Sequence, residues 1–152
     1  MKAVKVILLA LAIILVVIQF LPSGMPDNKP EDEKSISSSG LVTEPVLTQL
    51  RTSCFDCHSN QTIFPWYSKL APSSWFLAGH IKNGRSQLNF SEWETYSRRG
   101  KIGQLEDIVD EVKSGEMPLK SYLLIHREAR LEKEEISSLS EWAEEAATKI
   151  LE

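Results

Sequence analysis

The sequence predicts an all-α fold, a small helical domain of about five short helices behind an N-terminal hydrophobic helix. Beyond residue 42, apolar residues recur every three or four positions in several stretches, and helix-capping residues stand ahead of them. No segment of useful length alternates apolar and polar residues as a half-buried strand does. At 152 residues, 42% hydrophobic and 25% charged, the chain has material for one small domain. It holds no internal repeat and no Gly-rich phosphate loop. The net charge is −4, from 17 basic and 21 acidic residues with no basic block, so nucleic acid is not an expected partner. Two cysteines are too few for a multi-disulfide scaffold or a four-thiolate metal cage.

Residues 1–21 read as a signal or membrane anchor. Lys2 and Lys5 form a basic start, and Val6 to Leu21 is apolar apart from Gln19. The stretch Phe20-Leu21-Pro22-Ser23-Gly24-Met25 offers no clear small-x-small cleavage site, which favours a retained anchor over a cleaved signal. With the lysines ahead of the apolar run, the N-terminus is expected in the cytoplasm and the rest outside, on the periplasmic side. Residues 22–41 hold three prolines, five serines and many charges, the composition of a flexible linker. Such a coil has a reach of about 25 Å.

The domain is expected over residues 42–152. Thr43-Glu44-Pro45 opens a helix carrying Val46, Leu47 and Leu50 into Cys54. Ser73 or Ser74 can cap a second helix with Trp75, Phe76, Ala78 and Ile81, stopping near Gly84. Ser91-Glu92-Trp93-Glu94 reads as a capping box for a third. Ile102, Leu105, Ile108, Val109 and Val112 stripe a fourth, which Gly115 can close. Ile136, Leu139, Ala143, Ala146 and Ile150 stripe the last, with Trp142 beside them. The preceding Glu132-Lys133-Glu134-Glu135 reads as its solvated first turn, where acids suit the helix dipole.

Cys54-Phe55-Asp56-Cys57-His58 is C-x-x-C-H, the attachment signature of c-type haem. Two cysteines three apart can each add to one porphyrin vinyl group, and the adjacent histidine can then offer its imidazole to the iron. This attachment takes place outside the cytoplasmic membrane, where the N-terminal segment would send the motif. Three other readings compete. A redox disulfide of the thioredoxin type lacks its βαβ pattern. Zinc held by Cys54, Cys57 and two of His58, His80 and His126 lacks the close histidine spacing. A structural disulfide closing so small a loop would be strained.

A second axial ligand is expected from Met117, the one methionine inside the domain, in Gly115-Glu116-Met117-Pro118. His80 and His126 are the alternatives, and a five-coordinate iron is the remaining one. Phe64-Pro65-Trp66-Tyr67 and Trp75-Phe76 are expected to wall the porphyrin, and Lys82 or Arg85 to pair with its propionates.

From about Arg51 to Trp142 the chain resembles the bacterial family of small haem-binding domain proteins, with a single c-type haem. The stretches that carry this are S-C-F-D-C-H-S-N (Ser53 to Asn60), F-P-W-Y-S (Phe64 to Ser68), A-P-S-S-W (Ala71 to Trp75), L-N-F-S-E-W (Leu88 to Trp93), G-E-M-P (Gly115 to Pro118) and L-x-x-W (Leu139 to Trp142). The resemblance implies covalent haem c on Cys54 and Cys57, His58 as proximal ligand, and an N-terminal membrane segment. Similarity to class I cytochromes c in the order of motif, Met-Pro loop and final helix favours Met117 as the other ligand. One departure is Glu132, where a Ser or Thr cap is expected. The expected function is single-electron transfer by a membrane-tethered, non-enzymatic carrier, whose acidic domain favours a redox partner protein with a basic face. The alternative is a haem peroxidase or a gas or peroxide sensor, with an open distal position and His80 as acid–base group.

Overall fold

The computed structural model describes residues 1–152 and is helical throughout, with no strand. Helix α1 (Lys2–Val17) continues as a 3-10 turn to Phe20 and buries none of its residues. The span Lys2–Phe20 has a mean hydropathy of 2.8. At 1.5 Å per residue it reaches about 28 Å, close to the thickness of a bilayer's hydrocarbon core. It is long and apolar enough to be a membrane anchor or a signal sequence.

Six further helices follow, two of them single turns. Helix α2 (Glu44–Ser53) starts after an extended Thr43, with proline in its first turn, and buries Val46, Leu47 and Leu50. Cys54 ends it and opens the single turn α3 (Phe55–His58). Helix α4 (Ser73–Gln87) departs from expectation at both ends. Pro72 holds the N-cap, and the Ser73 hydroxyl turns back to donate to the carbonyls of Leu70 (2.6 Å) and Tyr67 (3.0 Å). At the other end α4 runs through Gly84 to Gln87. A Cβ at Gly84 would stand 2.6 Å from the Cys57 carbonyl oxygen, so this glycine permits a close approach to α3 and does not stop the helix.

The third expected helix is a 3-10 segment, Phe90–Thr95, bent at Glu92. Asn89, not Ser91, caps it, its side-chain oxygen accepting from the Ser91 N–H (3.0 Å). Helix α5 (Arg98–Ser114) is capped by Ser97 and closed by Gly115 at φ 74°, the left-handed conformation that glycine adopts freely. After the single turn α6 (Lys120–Leu123) comes α7 (Lys133–Leu151). Glu132 does the work expected of a hydroxyl cap. Its carboxylate accepts from the Glu135 N–H while the Glu135 carboxylate accepts from the Glu132 N–H (2.8 Å).

The stripes of α5 and α7 pack together, and with α2 and Phe90–Thr95 they enclose Leu50, Phe90, Trp93, Leu105 and Leu139. Trp142 buries its ring and donates its indole N–H to the Leu41 carbonyl (2.9 Å). Residues 22–41 correct the expectation of a free tether, because much of the segment lies against the domain. Ile36 is fully buried in the core. The Lys29 N–H donates to Asn60 O (2.9 Å), Asn28 Nδ2 donates to Thr62 O (2.7 Å), and Glu31 pairs with Arg51 (2.9 Å). One fully buried apolar side chain and a series of backbone and side-chain polar bonds make this attachment, and neither registers as hydrophobic patterning.

Candidate functional site

The junction of α2 and α3 gathers the motif into one turn, with the His58 N–H donating to the Cys54 carbonyl (2.9 Å). The His58 ring lies 3.2 Å, through Nδ1, from the Leu88 carbonyl. A carbonyl can only accept, so the proton sits on Nδ1 and Nε2 keeps its lone pair for a metal. Burial pulls the His58 pKa down, against the opposing effect of its backbone bonds, and keeps the ring in the neutral form that ligation needs.

A cavity of about 590 Å³ opens beside this turn. Cys54, Cys57, His58 and Met117 all line it, and so does His80. Its volume falls within the range of roughly 300–1,000 Å³ usual for small-molecule and cofactor sites. Apolar lining comes from Leu88, Phe90, Ile108, Val112 and Leu119, with Tyr122 adding an aromatic ring. Met117 reaches the cavity through the turn that follows α5. Gly115 reverses the chain there, and the Glu116 and Met117 N–H groups both donate to the Glu111 carbonyl (3.1 Å each). These residues suit a haem: two thiols, one imidazole with a free lone pair and one thioether share an apolar pocket.

The competing uses of the cysteines find little support. Both thiols are free. Burial pushes Cys54 up to about 12, helped by neighbouring Cys57, and burial together with the Asp56 charge pushes Cys57 up to about 11. Redox-active thiols have lowered pKa values, so a thioredoxin-like role lacks its chemical basis. No three His, Cys, Asp or Glu side chains gather into a metal-holding group, which leaves zinc without a cage.

Several expected participants stand elsewhere. His126 does not line the cavity: its Nε2 bonds the Tyr67 hydroxyl (2.9 Å), its Nδ1 faces Glu128 (3.3 Å), and its ring stacks on Tyr122 at 4.2 Å. The expected aromatic wall is also corrected. None of Phe64, Trp66, Tyr67, Trp75 and Phe76 lines the cavity, and Trp66 is 75% exposed, because the chain after α3 turns outward. Arg85 is engaged away from the cavity, donating to Asp27 O (2.9 Å), Asn28 Oδ1 (3.2 Å) and Thr62 Oγ1 (3.1 Å). Lys82 does not line the cavity either.

Three contributors were missed in the sequence. Phe90 stacks on Phe55 (5.2 Å between centroids) as part of the cavity's lining. Asp56 accepts from the Tyr122 hydroxyl (2.7 Å) and the Ile63 N–H (2.8 Å), tying α3 to α6 and to the loop beyond it. Gly84 gives α3 its room. The carboxylate inside the C-x-x-C-H motif was the one visible signal, since an acid at a helical turn beside two thiols needs a partner.

Comparison with known proteins agrees with this geometry. No curated protein and no solved structure matches the chain. The profile of the haem-binding domain family matches residues 13–145, spanning the cavity and only the last part of the N-terminal helix. The chain belongs to that haem-binding domain family.

Proposed function

We propose that Cys54 and Cys57 hold one haem c covalently, that His58 and Met117 are its axial ligands, and that the protein is a membrane-anchored single-electron carrier on the extracytoplasmic side. The observation that carries this reading is one cavity lined by both thiols, the imidazole and the thioether, with the imidazole's other nitrogen engaged by a backbone carbonyl. Each thiol would add its S–H across a vinyl group, giving a thioether and leaving no free thiol. When bound, the haem supplies an iron that alternates between ferric and ferrous states.

The rest falls to this chain's own side chains. The backbone carbonyl of Leu88 accepts from His58 Nδ1, which fixes the ring and raises the basicity of Nε2. Leu88, Phe90, Ile108 and Val112 exclude water, which favours the less charged reduced state. With His58 and Met117 both holding the iron, little ligand rearrangement would accompany electron transfer. The acidic balance of the chain favours a redox partner with a basic face.

His80, on the same cavity, favours a second reading, in which it replaces Met117 or faces an open position where peroxide or a small gas binds. Optical spectra of the full-length protein and of Met117→Ala and His80→Ala separate the two. The weak far-red band of methionine–iron ligation is expected in the oxidised wild type and in His80→Ala, and is expected to vanish in Met117→Ala. A high-spin wild-type spectrum, or a band that survives Met117→Ala, would sink the carrier reading. Haem that leaves the chain on a denaturing gel would refute covalent attachment.

A further inference from the structure

Two of the aromatic residues that the cavity does not use, Phe64 and Trp66, belong to an exposed apolar surface with aliphatic neighbours. Ile63 (78% exposed), Trp66 (75%), Leu124 (77%) and Ile125 (61%) stand in solvent, with Phe64 and Leu70 also exposed. They come from two loops that are fastened together, since the Tyr67 hydroxyl bonds His126 Nε2 at 2.9 Å. Trp66 and Ile125 are the immediate chain neighbours of that bonded pair. Single exposed apolar residues are ordinary, but a cluster of this kind marks an interaction surface.

Two observations identify what covers it. The first is charge. The chain is acidic overall, yet no Asp or Glu occurs between Asp56 and Glu92 or between Glu116 and Glu128. Those acid-free stretches carry Lys69, Lys120 and Arg127 among the apolar residues, against two bordering acids, Asp56 on the Ile63 N–H and Glu128 beside His126. An apolar centre with a basic rim complements a bilayer interface with anionic headgroups, where tryptophan is also favoured. The second is position. Gln19, at the end of the α1 span, donates through Nε2 to the Ala71 carbonyl and accepts through Oε1 from the Ala71 N–H, both at 3.0 Å. The loop that presents Trp66 and Leu70 is therefore fixed beside the point where the apolar helix ends.

We propose that this patch seats the domain on the lipid surface next to its own anchor, so that the haem cavity is held at a set height and orientation above the bilayer. The proposal rests on reading α1 as a retained membrane anchor. The test uses the full-length protein in vesicles of phosphatidylcholine and phosphatidylglycerol doped with a diazirine-tailed phosphatidylcholine, irradiated and mapped by mass spectrometry. Lipid adducts are expected on α1 and on the peptides holding Phe64, Trp66 and Ile125. In the double variant Trp66→Glu, Ile125→Glu the domain adducts should fall several-fold while those on α1 persist. Adducts confined to α1 in the wild type, the outcome if the patch faces a protein partner, would overturn the seating and leave the anchor standing. Adducts on neither region would overturn both.

Discussion

The cavity and the outward loop that follows α3 are neighbours in sequence but opposites in construction. The cavity is lined by thiols, a thioether, two imidazoles, aliphatic side chains, Gly84 and polar residues that include Asp56, Asp107 and Glu111, with Phe90 and Tyr122 its only benzene rings. The loop holds Phe64, Trp66 and Tyr67 within four positions, and its tryptophan stands in solvent. Wide rings would crowd a pocket that must admit a planar group, whereas a surface facing a mixed apolar and polar medium gains from them. Proximity to the C-x-x-C-H motif along the chain therefore says little about proximity in space.

Three substitutions test this contrast at the cavity, at the seam and at the patch. Gly84→Ala should do most harm. Alanine gains up to about 1 kcal/mol from helix propensity, but its Cβ would meet the Cys57 carbonyl oxygen at 2.6 Å. Overpacking against backbone costs about 1–3 kcal/mol, so a net loss is expected in chemical denaturation, accompanied by reduced haem incorporation. An unchanged or raised midpoint would mean that α4 can slide away from α3. Tyr122→Phe sits at the seam, since its ring lines the cavity and stacks on His126 while its hydroxyl donates to Asp56. Losing one bond to a carboxylate should cost about 1.5 kcal/mol by the same measurement. Trp66→Ser should change domain stability by no more than about 0.5 kcal/mol, as for most surface positions. A loss above 1 kcal/mol would show that Trp66 packs within the domain, which would break the contrast.

Much of this arrangement is visible in the sequence where it is periodic. The stripes of α5 and α7 are read directly, because each helix buries one face along its whole length. The C-x-x-C-H motif marks through adjacent residues the turn that brings both thiols and an imidazole to the cavity, and Gly115 marks the turn that carries Met117. What stays hidden depends on single contacts between distant segments. Ile36 is one apolar residue in a polar run, and its burial follows from contacts that no local pattern encodes. Arg85 looks like a partner for a propionate until Asp27, Asn28 and Thr62 are found around it. Gly84 reads as a helix stop because its real constraint lies on another helix. Glu132 departs from the usual cap residues yet caps its helix through an exchange with Glu135.

The bond from the Trp142 indole to the Leu41 carbonyl joins residues 101 positions apart, near the two ends of the domain. With Leu139 and Ala143 of α7 also in the core, that core cannot close until the last helix has been synthesised. During synthesis, Cys54 and Cys57 therefore emerge well before the structure that will bury them. Until α7 docks, the turn that carries both thiols and the helices that line the cavity rest on a core that is still incomplete.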